Sequence, residues 1–204
     1  MPFKSRYPLI LLATIVVLLA LLAYVGGRSP KTGVPASTAS GGPVVADFRL
    51  TDQNVRPFGK PDLLGKPSAL FFGFTFCPDV CPTMLASMTA HMSKLGADAD
   101  RLNVVFVSVD PERDTTEVIK AYLSSFDSRI RGLSGEKSQL DLLTKSLGIY
   151  YAKVDTGGAS YSVDHSALIV LLDSNGQFFG TIAYDENPDV ALMKLKRVVS
   201  EGYR

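Results

Sequence analysis

Phe71-Phe72-Gly73-Phe74-Thr75-Phe76-Cys77-Pro78-Asp79-Val80-Cys81-Pro82-Thr83-Met84-Leu85 decides how the rest of the chain is read. It holds the only 2 cysteines in a sequence of 204 residues. Upstream, Ala69 to Phe76 is an apolar, aromatic run of strand length. Downstream, Pro82 to Leu95 lacks glycine and repeats apolar residues at helical spacing. The order strand, cysteines, helix puts two sulfurs at a helix N-terminus, where free N–H groups and the helix dipole favour thiolate over thiol. The Cys-x-x-x-Cys spacing predicts a shared helical face with Cα atoms about 6 Å apart, within reach of a disulfide. Two thiolates on one face also suit one soft ion, Cu(I) or zinc rather than magnesium or calcium. A structural disulfide or two buried thiols would give the same spacing.

Hydrophobic residues make up 46% of the sequence, with 11 Phe and 8 Tyr, enough for a substantial core. There are 21 basic and 20 acidic residues, and no basic run interleaves with aromatics, so no nucleic-acid partner is expected. Two cysteines are too few for a disulfide scaffold, and 2 histidines leave few imidazoles for a metal.

Four segments follow from composition. Residues 1–8 read as a short cytoplasmic tail carrying Lys4 and Arg6. Residues 9–27 read as a single transmembrane anchor, because Leu9 to Val25 is apolar except for Thr14 and Tyr24. A cleaved signal peptide is the alternative, although Ala20 and Leu22 do not form its small-x-small cleavage site. Lys4 and Arg6 are opposed by Arg28 and Lys31, so the charge bias is slight; the N-terminus is expected inside and the remainder outside the cytoplasm. Residues 28–43, rich in Gly, Ser, Pro and Thr, read as a flexible tether or a plain spacer. Residues 44–204 are the folded domain.

Within that domain Val44 to Asp52 alternates partly, and Pro57 to Lys66 reads as a turn-rich connection. Met84, Met88 and Met92 form a stripe that is better read as the core face of an amphipathic helix than as a copper face. His91, on the same helix, is expected at the surface. Asn103 to Asp110 is a valine-rich run, as in a buried parallel strand. Asp114, with Glu117 three residues on, reads as a capping box for a helix to about Phe126. Ile130 to Leu133 is a short strand, and Glu136 to Leu147 a helix stopped by Gly148. Tyr150 to Val154 is strand-like. Tyr161 to Ser166 leads into a strand at Ala167 to Leu172, a turn at Asp173 to Gly176, and a returning strand at Gln177 to Tyr184. A last helix starts at Asn187-Pro188.

That order predicts an α/β domain with the thioredoxin-like arrangement and an extra N-terminal strand or two. In such a fold the strand entering the cysteines pairs antiparallel with the strand beginning near His165. His165 should therefore lie beside Cys77 and Cys81, more than 80 residues away in sequence. Thioredoxins place a cis-proline there, but no proline occurs between Pro111 and Pro188. Two thiolates and an imidazole suit copper in either oxidation state; a histidine capping the strand is the plainer reading.

The sequence resembles the Sco/SenC family in FFGFTFCPDVCPTM, in VSVDPERDT at Val107 to Thr115, and in Tyr161 with VDHS at Val163 to Ser166. Members are membrane-anchored copper proteins serving assembly of the copper-A centre of cytochrome c oxidase. The resemblance implies that Cys77, Cys81 and His165 bind Cu(I) or Cu(II). It also implies that Cys77 and Cys81 can form a redox-active disulfide that reduces the oxidase cysteines. The implied partners are the copper-A-bearing subunit, with other copper chaperones or thioredoxin-like reductants, and the implied place is a bacterial inner membrane with the domain in the periplasm. A tethered thiol–disulfide oxidoreductase or a redox or copper sensor are the competing readings. Asp79 and Asp164 flank the ligands; Asp110, Arg113 and Asp114 are expected to be a strand end and a helix cap.

Overall fold

A computed structural model describes residues 42–203 other than 158 and 159, together with Ile15, Val17 and Tyr24. The chain divides into two units, Met1–Ser40 and Gly41–Arg204. In the first, Ile15, Val17 and Tyr24 are helical and exposed; the rest of the expected tail and anchor, and nearly all of the tether, lie outside the described residues. Among the described residues no helix is long and apolar enough to cross a membrane.

The second unit begins with two short strands, β1 (Arg49–Asp52) and β2 (Pro57–Gly59), so the stretch expected as connection carries a strand and a 3-10 turn, Lys60–Leu63. β3 (Ser68–Gly73) runs into the cysteine loop and α1 (Val80–Leu95). β4 (Asn103–Ser108), α2 (Thr116–Leu123), β5 (Arg131–Ser134) and α3 (Lys137–Ser146) follow. The chain ends with β6 (Tyr151–Asp155), β7 (Tyr161–His165), β8 (Leu168–Leu172), β9 (Phe178–Ala183) and α4 (Pro188–Glu201). Gly148, just past α3, has φ +67°, the left-handed stop its sequence position predicts.

Seven strands form one mixed sheet in the order β2-β1-β5-β4-β3-β8-β9. β3, β4 and β5 are parallel neighbours. β8 pairs antiparallel with β3, Ser68 opposite Leu172 and Phe71 opposite Ile169, as expected. All six residues of β3 are buried, which requires cover on both faces of the sheet. Phe72, Phe106, Leu133 and Leu172 fill the centre. At the far end of β8 an isolated bridge joins Val44 to Gln177, where the chain enters this unit.

Two expectations are corrected. Tyr161 to His165 is not a lead-in to β8; β7 pairs with β6 as a separate two-stranded ladder, Tyr151 opposite His165. The N-cap of α2 is Thr115, whose side chain accepts from the Val118 N–H at 3.3 Å. Asp114 is drawn inward instead.

Candidate metal centre

The cysteine loop is held by a buried carboxylate. Asp114 accepts the Thr75 N–H at 3.0 Å, the Thr75 hydroxyl at 2.6 Å and the Ser108 hydroxyl at 2.6 Å. Burial raises its pKa, and these three hydrogen bonds oppose the rise. The loop then tightens, with the Cys77 N–H donating to the Phe74 carbonyl at 3.2 Å. Gly73 lets the second sulfur sit against the end of β3: a Cβ there would come within 2.7 Å of Cys81 Sγ.

Cys77 lies ahead of α1 and only Cys81 is inside it, so the two do not share a helical face. Their link is a capping contact, the Cys81 N–H directed at Cys77 Sγ at 3.4 Å. From the hairpin, His165 places Nε2 3.6 Å from Cys81 Sγ. One ligand atom from each of Cys77, Cys81 and His165 lies within 4.8 Å of the others. His165 Nδ1 is 3.3 Å from the Ser166 carbonyl. With that nitrogen donating, Nε2 keeps its lone pair toward the sulfurs. Phe71 and Phe74 present their rings edgewise to the imidazole, with centroids at 6.4 and 5.9 Å.

The electrostatics are asymmetric. Burial lowers the His165 pKa, favouring the neutral imidazole that a metal needs. Cys81 is fully buried, and burial pushes its pKa well up. The expectation of two thiolates is therefore corrected: Cys81 holds its proton until a cation displaces it. Cys77 is half-buried and is the accessible sulfur; both thiols are free. Three donors of this kind, soft sulfur and borderline nitrogen, match copper better than hard cations.

Asp79 and Asp164 do not orient His165. The Asp79 carboxylate accepts from the Thr83 hydroxyl at 3.3 Å, and the imidazole Nδ1 faces the Ser166 carbonyl rather than Asp164. The methionine stripe is core, as expected: Met84, Met88 and Met92 are buried. His91 is buried as well, against the expectation of a surface site; it lies seven residues from Met84, which is the spacing that betrays the stripe's face. Sequence reasoning read Asp114 as a helix cap and missed its inward role, which depends on Ser108, six residues before it, and Thr75, 39 residues before it.

The SCO1/SenC family pattern matches residues 36–200. The chain belongs to that family. A Sco relative, the SCO2-like protein of Rickettsia felis, is 38% identical over 152 residues, 74% of each chain. ScoI of Bradyrhizobium japonicum with copper bound is 43% identical, with a TM-score of 0.71 over 76% of this chain and 99% of that one. Yeast Sco1 with copper bound is 30% identical, with a TM-score of 0.72 over 78% of this chain and 90% of that one. Residues 41–204 thus have the thioredoxin-like α/β fold of Sco proteins, and the Cys–Cys–His group is a feature of this Sco chain's own geometry.

Proposed function

We propose that the chain is a membrane-anchored copper metallochaperone. Cys77, Cys81 and His165 bind one copper ion, Cu(I) or Cu(II), and pass it to the copper-A site of cytochrome c oxidase. The observation that carries this reading is the gathering of three donor atoms within 4.8 Å from the loop after β3, the first turn of α1 and the end of β7. Sco relatives of similar fold have been solved with copper bound. Copper here is cargo, so the site must release it. Cys77 is the half-open member through which an incoming thiolate can replace a ligand. The apolar run Leu9 to Val25 supplies the anchor, in a bacterial inner membrane with the domain on the periplasmic side. The copper-A-bearing subunit is the proposed recipient, and copper donors and thioredoxin-like reductants are the proposed upstream partners.

Thiol–disulfide exchange is the second reading. It is favoured by the pairing of an accessible Cys77 with a buried Cys81, the arrangement of an attacking and a resolving thiol. In that reaction Cys77 attacks a partner disulfide, Cys81 displaces the mixed disulfide, and the partner leaves with both cysteines reduced.

The test is copper stoichiometry and optical absorption of the reduced full chain in detergent, beside His165→Ala and Cys77→Ser variants. The expected result is one copper per chain and a thiolate-to-Cu(II) absorption that both substitutions abolish or shift. No retained copper, together with a Cys77–Cys81 disulfide that reduces protein substrates with or without His165, would replace the chaperone by a tethered thiol reductase.

A further inference from the structure

The sulfurs come from the loop and helix that follow β3 and the imidazole from the β6–β7 hairpin, so something must fix the gap between them. The residue placed to do so is Arg113, in the turn after β4. Its Nε donates to the Asp110 carboxylate, and its Nη1 donates to the Tyr161 carbonyl at 3.0 Å. Tyr161 closes the ring, its hydroxyl donating to the other Asp110 oxygen at 2.7 Å. The guanidinium lies over the Tyr161 ring at 3.7 Å and over the Phe76 ring at 4.8 Å. Phe74 is next, its centroid 5.8 Å from the same carbon.

Those neighbours are not scattered. Phe76 immediately precedes Cys77. Tyr161 opens β7, the strand that closes on His165. Phe74 packs edgewise on the imidazole itself. The Asp110 side chain is fully buried and that of Arg113 is 20% exposed, so the pair is screened little by water. A planar, permanently charged group can stack on two rings and bond a carboxylate and a carbonyl at once; an ammonium cannot.

We propose that Arg113 is a positioning residue for the copper site: it splints the cysteine loop to the His165 strand and so sets the distance between the sulfurs and the imidazole. It touches none of the three donors. The proposal rests on the copper-site reading above and adds to it a specific claim, that the loss of Arg113 is felt at the histidine and not at the thiols.

The experiment uses the full chain in detergent, with Arg113→Lys, Arg113→Met, His165→Ala and the two Arg113/His165 double variants. The readouts are the Cu(II) electron paramagnetic resonance spectrum, the thiolate-to-copper absorption, Cu(II) affinity, and circular dichroism of the metal-free protein. The expected result is that Arg113→Lys and Arg113→Met weaken Cu(II) binding by about 10–100-fold and lose nitrogen hyperfine coupling, as His165→Ala does. In the His165→Ala background the same Arg113 substitutions should cost nothing further, because their effect runs through the imidazole. A wild-type spectrum and affinity in Arg113→Lys and Arg113→Met overturn the proposal. So does an equal loss of affinity with and without His165, the mark of a general structural role. Should Arg113→Met fail to fold, Arg113→Lys, which keeps the charge, carries the comparison. Absence of a copper signal in the parent chain would count against the copper site itself and is thereby told apart from a failure of Arg113.

Discussion

Burial does more than bonding to set the behaviour of His91. The residue is 7% exposed, and its Nδ1 has no hydrogen-bond partner among the described residues. Burial lowers its pKa, with Lys94 adding to the effect and Asp189 opposing it. The folded state therefore binds fewer protons than the unfolded state as pH falls below about 6.5, the ordinary histidine value, and stability must drop there. Thermal unfolding of the metal-free protein should show Tm falling between about pH 7 and pH 5.5, above the carboxylate range, with a shallower slope in His91→Leu. His165 is shifted in the same direction, so His165→Ala is the second comparison; an unchanged slope in His91→Leu would show that His91 is not the proton acceptor. At this scale the sequence was legible where chemistry is rare. Two cysteines in one loop and a histidine at a predicted strand start could be joined by topology alone. Asp114 could not be: its partner Thr75 lies 39 residues away and leaves no periodic trace, while Asp114 with Glu117 three residues on imitates a capping box whose true cap is Thr115.

The elements were mostly legible, because apolar runs of strand length and helical stripes bury one way. What the pattern concealed is the break between β7 and β8. The chain leaves one ladder at Ser166, whose N–H donates to the Tyr150 carbonyl at 3.0 Å. It joins the next at Ala167, whose carbonyl accepts from the Tyr184 N–H at 3.1 Å. Tyr161 to Ser166 alternates and Ala167 to Leu172 is continuously apolar with no turn residue between them, so the sequence reads the first as a lead-in to the second where the backbone makes two strands. The third donor therefore rides on a hairpin of only two strands, a unit of marginal stability by itself. Amide exchange in β6 and β7 should be faster than in β3 and β4 of the metal-free protein, and copper should slow it selectively. Equal protection of both ladders without metal would show that the hairpin is already fixed by its packing.

For the whole molecule, the order tail, anchor, tether and domain is an expectation that rests on sequence alone. Leu9 to Val25, the anchor proposed above, is apolar except for Thr14 and Tyr24 and lies between Arg6 and Arg28. The full chain should stay with membranes through an alkaline carbonate wash, and a form starting at Val44 should be released. Release of both would favour a cleaved signal peptide. The domain itself has two poles. The donors cluster just past the C-terminal end of β3, whereas Val44 is pinned to Gln177 beyond that strand's opposite end, about 20 Å of extended chain away. The chain thus enters this unit on the side away from Cys77, Cys81 and His165, and a partner approaching those donors does not meet the entry point.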